Sequence, residues 1–126
     1  MAAAICSVMS KGKHWCKSAG TKVSENKQGQ RLCDKQGAEE VINTMKEIGI
    51  DISNNTRVSI TPEMVTSSGM IIVMAQPETI PIFLSRSGKV VYWDVEDPYM
   101  QDSVDVRAIR NKIHSLVVQL LKKGNI

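Results

Sequence analysis

Asp94, Glu96, Asp97 and Tyr99 stand together in the segment Asp94–Asp102 (DVEDPYMQD), with Pro98 directly after Asp97. Neighbouring carboxylates raise one another's pKa, and an Asp so raised can protonate a leaving group. The proline ring restricts Asp97 to extended backbone, and Tyr99 sets an aromatic face nearby. The same Asp-Pro pair also serves as an ordinary turn before a helix. The remaining reactive groups are sparse. Cys6, Cys16 and Cys33 form no Cys-x2-Cys pair, and neither His14 nor His114 has finger spacing, so no structural zinc site is expected. The two histidines read as a strand-edge and a helix-face residue. Unpaired thiols without a signal peptide point to a reducing cytoplasm.

Groups of this kind work only where elements hold them. Met1–Met9 (MAAAICSVM) is helical by composition, and Lys11-Gly12-Lys13 closes it. His14–Lys17 is a brief strand ending at Ser18-Ala19-Gly20-Thr21, and Thr21–Gln36 is polar loop. Val41, Ile42, Met45 and Ile48 make a helical stripe over Gly37–Ile48, with Gly49 as the C′ residue and Ile50 packing back. Thr61-Pro62-Glu63 starts a short helix that stops near Ser68-Gly69, for Thr61 can cap and Pro62 suits the first position. Met70–Ala75 (MIIVMA) reads as a strand covered on both faces and Lys89–Trp93 as another strand, with a short helix over Glu78–Leu84 between them. Over Ser103–Lys123, residues Val106, Ile109, Ile113, Leu116, Val117, Leu120 and Leu121 share one helix face. Alternating strands and helices predict an α/β fold on a parallel sheet. In such sheets ligands meet the carboxyl ends of strands, which here selects the loops Ser18–Thr21, Ala75–Pro77 and Asp94–Tyr99. Met64, Met70 and Met74 read as core filler, Cys6 as a small buried hydrophobe, and Trp15 and Trp93 as core or pocket rim.

The chain of 126 residues is 42% hydrophobic and 23% charged, which fits one globular domain and excludes collagen-like, disordered and coiled-coil classes. No apolar run reaches the ~18–20 residues of a membrane helix. The net charge of +3 is spread over short clusters, Lys11-Gly12-Lys13 and Lys122-Lys123, without interleaved aromatics. Neither a membrane nor a nucleic acid is therefore an expected partner.

Lys17–Thr21 (KSAGT), Ala38–Ser53 (AEEVINTMKEIGIDIS), Thr61–Ala75 and Tyr92–Asp102 (YWDVEDPYMQD), in that order, resemble the low-molecular-weight protein tyrosine phosphatases, a family that includes thioredoxin-coupled arsenate reductases. The resemblance runs from about Met1 to Lys123. It implies a three-layer fold, a parallel sheet with helices on both faces, and hydrolysis of phosphate monoesters through a cysteinyl-phosphate, without metal or cofactor. A Cys-x5-Arg loop would cradle the phosphate and supply the nucleophile. By the same resemblance Asp97 is the acid that protonates the leaving group and then activates water. Tyr99 flanks the substrate ring, Ser18 lies in a loop beside the phosphate loop, and the partner is a phosphotyrosine or small phosphoester. The reductase branch needs further cysteines after the central strand. Ala75–Ser85 (AQPETIPIFLS) has none, which favours the phosphatase branch.

The sequence departs from the family at its most important loop. Six residues after Cys6, Cys16 and Cys33 stand Gly12, Lys22 and Glu39, so no thiol has its arginine. Met1-Ala2-Ala3-Ala4 resembles the residues just after that arginine, so residues 1–126 are expected to be one N-terminally incomplete domain, inactive as written. A start codon assigned at an internal methionine is the leading explanation, ahead of a truncated or natural fragment and a non-catalytic interaction module. A missing central strand of ~5 residues would forfeit roughly ten ladder hydrogen bonds at ~1 kcal/mol each. The expectation is a marginal monomer, an open slot in the sheet, or a homo-oligomer that fills it.

Overall fold

A computed structural model describes residues 1–21, 23, 27–35, 37–75, 77–96 and 105–123. Among these residues, five α-helices and two strands follow in the order α1 (Ala2–Met9), α2 (Glu39–Lys46), α3 (Pro62–Ser67), β1 (Ile71–Val73), α4 (Ile82–Ser85), β2 (Val90–Tyr92) and α5 (Val106–Lys122). Short 3-10 turns occupy Leu32–Asp34 and Pro77–Thr79. No helix among the described residues is long and apolar enough to cross a membrane.

Helix boundaries follow local chemistry. Thr61 Oγ1 accepts the Met64 N–H at 3.2 Å and Pro62 opens α3, as its sequence requires. Asp105 caps α5 by accepting the Ala108 N–H at 3.1 Å. After α2, Gly49 takes φ 79°, and the Gly49 and Ile50 N–H groups donate to the Lys46 and Met45 carbonyls at 2.9 and 3.1 Å. That is a Schellman close, and Ile50 packs back on the core as expected. The predicted Glu78–Leu84 helix is divided: Pro81 has no N–H to donate, so a 3-10 turn ends before it and α4 begins after it.

The core gathers where α1, α2 and α5 meet. Ile5, Val41 and Met45 are fully enclosed there with Val106, Ile109, Ile113 and Val117. The predicted stripe of α5 is therefore its core face, although Leu116, Leu120 and Leu121 are only half-buried. Ile48, predicted on the buried stripe of α2, is exposed at its C-terminal end. Met64, Met70 and Met74 are half-buried, and Met45 is the methionine that fills the core.

β1 and β2 pair in parallel, Ile71 with Val90, Ile72 with Val91 and Val73 with Tyr92, which bears out the α/β class. Two expectations about the sheet change. Its named strands are three residues each, and β1 fully buries only Val73, so it is not covered on both faces. His14–Lys17 is not a strand, for it makes no ladder with the described residues. Pairing begins only at Gly20, whose N–H donates to the Val58 carbonyl at 2.8 Å and whose carbonyl accepts the Ile60 N–H at 2.9 Å.

Candidate functional site

β1 and β2 run side by side in one direction, so their carboxyl ends open on one edge of the sheet. The chain diverges there and leaves a cleft of about 270 Å³. Val73, Met74, Ala75 and Pro77 line it from the β1 side, and Tyr92, Trp93, Asp94 and Val95 from the β2 side. This is where a parallel sheet takes a ligand. Among the described residues the lining is mainly apolar and aromatic, and Asp94 is its one charged residue. Such a wall suits a flat ring.

Three tethers hold the cleft. The Trp93 N–H donates to the Val73 carbonyl at 2.9 Å, extending the β1–β2 ladder into the site. Lys112, on α5, donates from Nζ to the Asp94 carbonyl at 2.6 Å and fixes the chain that leaves β2. The Thr21 and Thr79 hydroxyls share a hydrogen bond at 2.8 Å. Thr79 lies two residues beyond Pro77, so this bond ties the Ser18–Thr21 loop to the far wall.

Two of the three loops selected from the sequence thus supply walls of the cleft, and the third is tied to its edge. Trp93 is half-buried, packs on the core and forms part of the rim. Trp15 is 88% exposed instead, with the Lys17 ammonium 4.5 Å from its ring centroid. Ser18 is exposed on the segment before Gly20. Asp97 and Tyr99 lie outside the described residues. Lys112 and Thr79 escaped the sequence reading, as did the bond between Thr79 and Thr21. A lysine on the solvent side of a helix carries no signal that sets it apart, and a hydroxyl pair 58 residues apart carries none either.

All three cysteines are free thiols, Cys33 exposed, Cys6 and Cys16 half-buried. Cys6 is thus less enclosed than its expected role as a buried hydrophobe required. Desolvation against the core pushes its thiol up to about 12, and the adjacent Cys16 thiol adds to the rise. Among the described residues, no group of three or more His, Cys, Asp or Glu could hold a metal ion.

No family model matches the sequence and no curated protein matches it. Solved structures do. Wzb of Vibrio vulnificus, in complex with benzylphosphonate, aligns with TM-score 0.78 at 20% identity over 97% of this chain and 87% of its own. The low molecular weight protein tyrosine phosphatase of T. tengcongensis aligns with TM-score 0.73 at 27% identity over 97% and 88%. The tyrosine phosphatase AmsI of Erwinia amylovora gives 0.74 at 16% identity over 97% and 82%.

Proposed function

From the low-molecular-weight protein tyrosine phosphatase fold that this chain carries, we propose that it is a phosphatase-like domain with an aryl-phosphate cleft at the carboxyl ends of β1 and β2. The observation behind this reading is the aromatic-lined cleft at the strand ends of that fold. A neighbour of the same fold is described with benzylphosphonate, a ring bearing a phosphorus oxyanion. Asp97 follows Asp94 by three residues in the sequence, and Lys112 anchors the Asp94 carbonyl. In this reading Asp97 protonates the leaving oxygen, Tyr99 flanks the ring, and Ser18 stands on the loop tied to the opposite wall.

The same reading assigns these 126 residues no turnover of their own. Hydrolysis through a cysteinyl-phosphate needs a thiolate near neutral pH and an arginine on the equatorial oxygens. No cysteine in the sequence has an arginine six residues on. Cys6 in addition is held protonated, the reverse of what a nucleophile requires.

Two measurements test the two halves. The chain should release no p-nitrophenolate from p-nitrophenyl phosphate above buffer, and turnover that Asp97→Asn abolishes would overturn the claim of inactivity. Benzylphosphonate should shift the indole N–H resonance of Trp93, which lines the cleft, and leave that of Trp15 unmoved. No shift of Trp93 at millimolar ligand would sink the cleft assignment and favour an interaction module of the same fold.

A further inference from the structure

The chain that forms the cleft is acidic in a basic molecule. The formal net charge is +3, yet segments 75–80 and 94–105, which follow the ends of β1 and β2, hold six of the 13 acidic residues and no Lys, Arg or His. Asp94 lines the cleft itself. Glu78 and Glu96 are exposed just beyond its two walls. Lys112 reaches the β2 wall from α5, but its Nζ donates to the Asp94 carbonyl at 2.6 Å and the residue is not part of the lining. Two aromatic side chains stand beside Asp94. Tyr92 and Trp93 line the cleft, Tyr92 58% exposed and Trp93 half-buried. Ring faces attract cations, Trp most strongly, and a carboxylate alongside adds its own charge. Val73, Met74, Ala75 and Pro77 opposite offer an apolar wall for the body of a ligand.

We propose that the cleft selects an aromatic ring whose side group is a cation, an arylalkylammonium, over the same ring with a neutral or anionic side group. This rests on the reading of the cleft as a ring site and adds the class of ligand that the site takes. In the phosphatase reading the phosphoryl group belongs to a Cys-x5-Arg loop, and the sequence contains none. The cleft is left with the ring and with whatever flanks it. The ring packs on the apolar and aromatic walls, and the ammonium lies toward Asp94, where the carboxylate and the ring faces both favour it. A ring with an anionic side group meets the same walls and is repelled by the same residue.

Three phenols of similar size separate charge from shape. Tyramine, para-ethylphenol and para-hydroxyphenylacetate carry a cationic, a neutral and an anionic side group at neutral pH. Each is titrated into the full chain while the indole N–H resonances of Trp93 and Trp15 are followed. At Trp93 tyramine should bind tightest and para-hydroxyphenylacetate weakest, with roughly a two- to fivefold step between para-ethylphenol and tyramine. Trp15, outside the cleft, should not move. In about 1 M salt the three midpoints should converge. Asp94→Asn, which keeps the backbone carbonyl that Lys112 holds, should reduce the preference for tyramine and leave para-ethylphenol where it was. Equal midpoints for the three, a tightest midpoint for para-hydroxyphenylacetate, or a tyramine preference undiminished by Asp94→Asn would each overturn the proposal while the ring site stands. If none of the three moves Trp93, the ring site falls and the proposal falls with it.

Discussion

Arg110 is the charged side chain that the described residues bury, 7% exposed between α2 and α5. Its Nη1 donates to the Thr44 carbonyl and to Glu47 Oε1, both at 2.8 Å, while Arg107 takes Glu47 Oε2 at 2.6 Å. Arg110→Met keeps an apolar stem in the gap and deletes the charge-assisted bonds. The expected loss is ~2 kcal/mol by urea melt, and a melt coinciding with wild type would remove Arg110 from the fold's supports. Glu47 gives the pH dependence. Hydrogen bonds from Arg107 first, and from Arg110 next, hold its carboxyl down at about 2. An unfolded Glu titrates near ~4.3. The folded state therefore binds this proton less readily, and the stabilisation is complete above that value and is lost as pH falls toward about 2. The stability difference between wild type and Glu47→Gln should shrink from about pH 6 to about pH 2. A difference that holds constant over that range would contradict the linkage. None of this was legible in the sequence, where Arg110 sits beside Ile109 as one more cation on a helix. Only the packing of α2 over it makes it a buried one.

Elements closed by their own neighbours in sequence were readable, and elements closed by distant chain were not. The Thr61-Pro62 start of α3, the Gly49 close of α2 and the apolar face of α5 each depend on residues within a turn or two, and each stands where the pattern placed it. A strand depends on what lies beside it. His14–Lys17 has strand composition but no ladder partner among the described residues, and Trp15 ends in solvent. The site shares this division. Its loops were legible because strand ends are, whereas the Lys112 and Thr21–Thr79 tethers cross the fold. Gly20 is where the non-local contact becomes critical. A Cβ there would stand 2.6 Å from Val23 Cγ2, a β-branched side chain with little freedom to retreat, while both backbone groups of Gly20 are engaged with 58 and 60. Gly20→Ala should therefore cost ~1–3 kcal/mol, as overpacking does. Thermal melting checks it, and a variant as stable as wild type would show that the bridge yields without loss.

For the molecule as a whole, the balance between helical core and sheet decides how it opens. The enclosed side chains cluster where α1, α2 and α5 meet, and of the two strands only β1 sends one residue, Val73, fully inside. Val91 and Tyr92 are 40% and 58% exposed, although strands of a parallel sheet are ordinarily covered on both faces. Among the described residues, two strands of three residues, joined only to each other by named pairing, fall short of the three or more that an independently stable sheet needs. The sheet should then open before the helices do, as a unit of lower stability within one domain. Native-state hydrogen exchange resolves this directly. The Ile71 and Trp93 amides, whose N–H groups donate to the Lys89 and Val73 carbonyls at 3.1 and 2.9 Å, should lose protection at lower urea than those of Ile113 and Val117 on α5. Because the cleft is built on the ends of these strands, its walls should loosen with them, and Lys112→Met, which frees the Asp94 carbonyl from α5, should lower the protection of Trp93 further while leaving Ile113 unchanged. Equal protection of strands and α5 in the wild type would mean that sheet and helical core unfold as one.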